Sequence, residues 1–548
     1  MNPTSAKRQS VALPDATTGV TMPAGLPRLP PFPSLFQLNT RVRLREIKAA
    51  LGRSATLDDI PDADLDQLRT QGFDWLYLLG VWSTGAAGRE ASRSNPDWRR
   101  EFEALLPGLE DRDICGSSFA VTAYAVPPAL GGNAALERLR RRLGLRGLRL
   151  MLDFVPNHTG LDHPWAWDRP DLFVHGDRTL LDREPGNYTL VQTAQGPTVL
   201  AHGRDPYFPG WPDTLQLDYA NPATREAMRG ELLAAAALCD GLRCDMAMLV
   251  LPDVVRRTWG TTAEPFWPGA IGAVRARRGD FAFMAEVYWG LEATLLQQGF
   301  DLAYDKTLYD LAVNQNGRGV REHLRASPSH QGHLVRFLEN HDEPRAATAF
   351  PWDVHQAAAV LTYLTPGLRL FHQGQIGGRR VRASIHLNRV AEEDADAAVS
   401  GFYHRLLDVL KRPVVREGHW RLLEPYEAWQ GNPTWDGFVP FAWDGTGERL
   451  LGVVNFQPTQ GQCYVRLSFA ELAGRSCELG DLLGPSRYIR DGDDMLGRGL
   501  YLDLPAWGFH LFSLGPATPG DVIPTDPGFD RSRQPVPKRV LNVRTVKA

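Results

Sequence analysis

Four short apolar runs in this chain end in acids. LRLMLDFVPNH carries Asp153, GLRCDMA carries Asp245, FAFMAEV carries Glu286 and LVRFLENHD carries Asp342. Read as a strand, GLRCDMA alternates its side chains, so Leu242, Cys244 and Met246 share one face while Arg243 and Asp245 share the other. A guanidinium beside a carboxyl favours the carboxylate, the form a nucleophile needs at neutral pH. The same pair reads equally well as a structural ion pair. Glu286 has Phe283, Met284 and Tyr288 as sequence neighbours. Apolar surroundings raise a carboxyl's pKa and keep it protonated, as a general acid must be to donate to a departing oxygen. A salt-bridge role is the competing reading. Spacing adds weight to chemistry, because Asp245 and Glu286 lie 41 residues apart, near one β/α unit, and Asp342 follows 56 residues later, near two.

Acids so spaced need a scaffold that turns strand ends toward one point. Strand candidates begin at Leu35, Phe73, Leu148, Gly241, Phe281, Phe300, Leu334 and Leu368, with helical patterns such as NAALERLRRRL and VHQAAAVLTYL between most of them. This alternation predicts an α/β fold, a (β/α)8 TIM barrel over 35–417, with the active site at the C-terminal ends of its strands. About 50 residues after His158 lack helical period and are rich in aromatics, Pro and Asp, which predicts an insertion after strand 3 over 159–215. From Gly418 onward, short strands such as LLGVVNF and CYVRLSF alternate with Gly and Asp turns, predicting a C-terminal antiparallel β-sandwich domain over 418–515. The ends, 1–34 and 516–548, are rich in Pro, Ser and Thr and read as a disordered N-terminal arm and a disordered Pro-rich tail.

Taken in order, these segments resemble the α-amylase superfamily of glycoside hydrolases over residues 35 to 515. DFVPNH is similar to its first signature, GLRCDMA to its second, AEV to its third and ENHD to its fourth, and WPDTLQLDY is similar to the short signature that closes the family's inserted domain. The resemblance implies a retaining enzyme acting on α-glucans, with Asp245 as nucleophile, Glu286 as general acid/base and Asp342 as the acid that grips sugar hydroxyls and distorts the ring. It further implies that Arg243 orients Asp245, that Asp153 supports the arginine, and that His158 and His341 hydrogen-bond the sugar beside the cleavage point.

Three departures from the family pattern stand out. The family commonly places an aromatic followed by Asp after the second strand; in SSFAVTAY, Phe119 offers the stacking ring and Ala120 cannot offer the acid. Long-chain amylases usually carry Lys and His where Met248 and Leu249 stand, so recognition on the acceptor side is expected to differ. Asn157 matches a residue that binds calcium in many amylases, which makes it a candidate calcium ligand. Asp162, Asp168, Asp171 and Asp177 follow it in spacings that match no calcium loop, and no cofactor is required. The insertion's aromatics, Trp165, Trp167, Tyr188, Tyr207, Phe208 and Trp211, are expected to divide between core and one or two sugar-stacking rings.

Composition bounds the partners. With 60 basic against 64 acidic residues the net charge is −4, which offers no general attraction for nucleic acid. The run Arg138, Arg140, Arg141, Arg142 reads as the polar face of an amphipathic helix. No window reads as a membrane span. The five cysteines include no CxxC pair and read as reduced thiols, and the N-terminus lacks the apolar core of a secretory signal, so a cytoplasmic location is expected, with glycogen or maltodextrin as the glucan. Hydrolysis through a glycosyl-Asp245 intermediate is the first reading. The same acids serve an α-glucan transglycosylase or a trehalose-forming isomerase, and a non-catalytic glycan-binding barrel is the rival from another class.

Overall fold

The computed structural model describes residues 27–517. The two expected arms lie outside the described residues except for their innermost few. Eight parallel strands close a barrel: β1 (Ser34–Asn39), β2 (Trp75–Leu79), β3 (Arg149–Phe154), β4 (Gly241–Cys244), β5 (Ala282–Ala285), β6 (Leu302–Tyr304), β7 (Leu334–Arg336) and β8 (Leu368–His372), with β8 pairing back onto β1. Seven of the strands fall within the eight apolar runs, and β1 begins one residue ahead of its run, at Ser34. Strands walled by helices outside and side chains inside are buried on both faces and read as near-continuous apolar runs, and WLYLL and RLMLDF are buried at every position.

The helix Pro222–Ala237, which precedes β4, shows how local sequence sets the surrounding layer. The Asn221 side chain accepts the Ala223 N–H, Pro222 occupies the first turn, and Met228, Leu232, Ala235 and Ala236 form its buried stripe. On the helix Gly132–Gly144 the basic run engages acids, Arg138 with Asp58, Arg140 with Asp240 and Arg142 with Asp62.

The insertion leaves and re-enters beside the barrel mouth, because its first strand, His158–Gly160, pairs antiparallel with its last, Thr214–Gln216. A hairpin of Tyr188–Thr193 and Gly196–Ala201 lies between them. After the barrel come a six-stranded antiparallel sheet and a three-stranded one, enclosing a core that includes Phe438, Leu451, Val453, Cys463 and Phe512. This domain is tied to the barrel by Trp443 Nε1 donating to Leu364 O at 2.8 Å and by Arg321 donating to Phe438 O at 2.9 Å. Among the described residues no helix is long and apolar enough to cross a membrane.

Candidate active site

Strands β4 and β5 stop just short of their acids. β4 ends at Cys244, yet Asp245 N–H still donates to Phe154 O at 2.8 Å; β5 ends at Ala285, and Glu286 N–H donates to Cys244 O at 3.0 Å. Interstrand bonding therefore anchors both backbones beyond the regular strands. Met246 then takes φ 40°, in the left-handed region, and its N–H donates to Glu286 Oε2 at 2.7 Å. Such a conformation costs a non-glycine residue on the order of 1–3 kcal/mol and persists where its surroundings hold it.

Register supplies the centre of the site. On β4, Arg243 stands opposite Asp153 of β3. The guanidinium is fully buried and reaches three carboxyls, Asp245 Oδ1 at 2.7 Å, Glu286 Oε2 at 2.7 Å and Asp153 Oδ1 at 3.4 Å. It also lies over the rings of Phe119 and Tyr304, at 5.3 and 5.7 Å. Tyr77 donates its hydroxyl to Asp153 Oδ1 at 2.5 Å. One cation cannot balance three buried carboxylates, so burial pushes Asp245 up to about 6, Asp153 to about 7 and Glu286 to about 8, with Arg243 opposing each rise. Desolvation is the larger influence at each acid, ahead of Arg243.

The remaining residues border this cluster. Gln37 Nε2 donates to His341 Nδ1 at 2.9 Å, so His341 Nε2 carries the proton and sits 3.1 Å from Asp342 Oδ2. Burial keeps His341 neutral, well below its usual range. Asp342 is the acid left open, with its side chain 43% exposed, and Asn340 Oδ1 accepts its N–H at 2.8 Å. Phe119 stacks on His341 with ring centres 5.3 Å apart and so walls the site; Ala120 behind it is buried. His158, pushed down to about 3 by burial, packs against Trp211 at 5.2 Å. Gly203 leaves room for it, since a Cβ there would come within 2.8 Å of His158 Cβ.

Three members of the cluster were not anticipated, Gln37, Tyr77 and Tyr304. Tyr288, expected beside Glu286 as an apolar neighbour, donates its hydroxyl to Glu286 Oε1 at 2.8 Å. The period of two that singles out Arg243 would also have found Gln37 in LFQLN and Tyr77 in WLYLL, as polar breaks in apolar strands. Met248 and Leu249 are buried in the turn Ala247–Val250. Of the insertion aromatics, Trp167, Tyr207 and Phe208 are exposed and Tyr188 is buried.

The residues around Asn157 do not fit a calcium cage. Asn157 Oδ1 accepts from Gln216 Nε2 at 2.9 Å, while its Nδ2 donates to Gln216 Oε1 at 3.1 Å. Asp171 pairs with Arg169, Asp177 caps its helix through the Leu180 N–H, and Asp162 accepts the Ala87 N–H. Among the described residues no three His, Cys, Asp or Glu side chains converge as a metal set.

Barrel and site together define a class: an α/β barrel with carboxyls gathered on one guanidinium at the C-terminal ends of its strands. No family model matches the chain. It is 24% identical over 373 residues to an α-amylase of Haloarcula japonica, covering 65% of this chain and 50% of that protein. It is 26% identical over 286 residues to the α-1,4-glucan:maltose-1-phosphate maltosyltransferase of Burkholderia pseudomallei, covering 50% of this chain and 21% of that one. The match spans about half the length, or less, of each such relative. Among solved structures, an α-amylase from Lactobacillus plantarum superposes with a TM-score of 0.61 at 21% identity, over 88% of this chain and 98% of that one. An α-amylase from Geobacillus thermoleovorans, complexed with acarbose, gives 0.59 at 18%, over 90% and 100%. The structural likeness speaks to the fold, and the sequence relatives are α-amylases, a maltosyltransferase and an α-glucosidase.

Proposed function

We propose that the protein is a retaining α-glycosidase acting on α-glucans of the maltodextrin, glycogen or starch type. The observation that carries this reading is the guanidinium of Arg243 held 2.7 Å from both Asp245 and Glu286, two buried carboxyls that desolvation pushes up and Arg243 pulls down. Two carboxyls gathered on one cation suit a nucleophile and an acid. Glu286 protonates the departing glycosidic oxygen as Asp245 attacks the anomeric carbon; the C–O bond to the leaving sugar breaks and a glycosyl-Asp245 ester forms. Glu286, now a carboxylate, takes the proton from an incoming water, and the ester is displaced with net retention. Asp342, open to the cleft beside His341, holds sugar hydroxyls, while His158 and Phe119 bound the same sugar. Tyr77, Asp153 and Arg243 position the nucleophile.

A sugar hydroxyl in the place of water gives transfer through the same steps, and the similarity to a maltosyltransferase keeps an α-glucan transglycosylase as the second reading. Five cysteines, all free, suit a reducing compartment and support a cytoplasmic location. Incubation with maltoheptaose, glycogen and trehalose, with products resolved by chain length, tests the proposal. Shorter oligosaccharides that are absent with the Asp245→Asn variant are expected; no turnover of any α-glucan would leave only a binding role.

A further inference from the structure

The carboxyl of Glu286 has one oxygen clamped and the other facing a hydroxyl. Oε2 accepts the Met246 N–H at 2.7 Å and lies 2.7 Å from Arg243 Nη2. The same turn grips the Glu286 backbone, since Ala247 N–H donates to Glu286 O at 3.0 Å. Met246 keeps its left-handed φ of 40° in making this clamp. Both groups that face Oε2 are donors only, because neither a backbone amide nor a guanidinium accepts a hydrogen bond. A proton on Oε2 would point at one of them, so protonated Glu286 carries it on Oε1. There the partner is the Tyr288 hydroxyl, 2.8 Å away. Toward the carboxylate Tyr288 donates; once Glu286 is protonated, Oε1 donates to the Tyr288 oxygen and the phenol hydrogen is free to point elsewhere. Tyr288 is half-buried. Burial, followed by the charges of Glu286 and Asp342, pushes its hydroxyl well above the usual range, so it stays a neutral phenol within reach of both acids.

We propose that Tyr288 is a further catalytic residue, whose hydroxyl carries the proton between Glu286 Oε1 and the glycosidic oxygen. This rests on Glu286 being the acid/base. As the bond from the anomeric carbon to the leaving oxygen breaks, that oxygen keeps the electron pair and takes the Tyr288 hydroxyl proton, while Tyr288 takes the proton of Glu286 Oε1. Glu286 ends as a carboxylate and Tyr288 as a phenol again, so no phenolate forms. In the second half the incoming water gives its proton to Tyr288 as Tyr288 passes its own to Glu286, and both groups return to their starting state. The clamp on Oε2 gives the relay its direction, because it leaves Oε1 as the proton site and keeps each transfer on the Tyr288 side.

The test compares two substrates in the Tyr288→Phe protein, which lacks only the hydroxyl. Maltoheptaose needs a proton on its leaving oxygen, whereas α-maltotriosyl fluoride releases fluoride without one. Tyr288→Phe is expected to lower kcat/KM on maltoheptaose about 100-fold and on the fluoride by no more than about threefold. Turnover of the fluoride also reports that the fold and the nucleophile are intact. An equal loss on both substrates would make the hydroxyl structural, and an undiminished rate on maltoheptaose would show that Glu286 reaches the glycosidic oxygen unaided; either result overturns the relay. Glu286→Gln tests the underlying reading separately. It too should lose far more on maltoheptaose than on the fluoride, and an equal loss on both in that variant shows that Glu286 is not the acid.

Discussion

Arg243 meets Glu286 at 2.7 Å with one terminal nitrogen and Asp245 at 2.7 Å with the other, so a single buried cation spans both carboxyls. Each carboxylate is stabilised by the guanidinium and destabilised by loss of water, and burial prevails at both. The difference between them follows their surroundings. Asp245 makes a direct hydrogen bond to Arg243, and each acid has like-charged neighbours, Asp153 and Asp342 for Asp245, Asp245 and Asp342 for Glu286.

Replacing either acid by its amide keeps the shape and removes the chemistry. Asp245→Asn and Glu286→Gln are each expected to lower kcat/KM on maltoheptaose by roughly 10⁴-fold or more, with circular dichroism and Tm unimpaired. Near-normal turnover by either variant would sink its assignment.

The pKa ordering predicts a bell-shaped pH profile of kcat/KM. Activity rises as Asp245 loses its proton near 6 and falls as Glu286 loses its own near 8. Asp153, pushed up to about 7, titrates within the same cluster, so the two limbs belong to the group as a whole. Residual activity of Glu286→Gln should lack the alkaline fall; a profile that climbs steadily from pH 5 to 9 would contradict the ordering.

Two carboxyls held 2.7 Å from one guanidinium suit the short separation of retaining glycosidases, whose pair is about 5–5.5 Å apart. The first-formed product should therefore be the α-anomer, followed by NMR during turnover before mutarotation. A β-anomer appearing first would count against the double displacement.

Asn157 and Gln216 use their amides on each other, which joins the start and end of the insertion. Exhaustive treatment with a chelator should leave activity and Tm unchanged, and added calcium should not raise Tm. Gln216→Ala strands a buried amide and is expected to cost about 1–3 kcal/mol of stability, seen in denaturant unfolding. A fall in Tm on chelation, restored by calcium, would show that a cation does bind.

Much of this protein was legible in local sequence. The eight apolar runs mark the eight barrel strands because burial on both faces imposes continuous hydrophobicity over a few residues. The acids at their ends were visible because a charged residue cannot continue such a run. Alternation within GLRCDMA put Arg243 and Asp245 on one face, and the structure pairs them. What local sequence could not hold was which partners meet across the barrel. Gln37 reaches His341 across 304 positions, Tyr77 reaches Asp153 across 76, and Asn157 finds Gln216 across 59. Those pairings depend on register and on closure of β8 against β1, which are set jointly by all the strands. That burial pushes Asp245 and Asp153 up as well was out of reach, because it comes from how many charges share one dry volume. Tertiary structure alone decides that Glu286 as well as Asp245 lies on Arg243, and that Tyr207 of the insertion meets Trp289 edge to face.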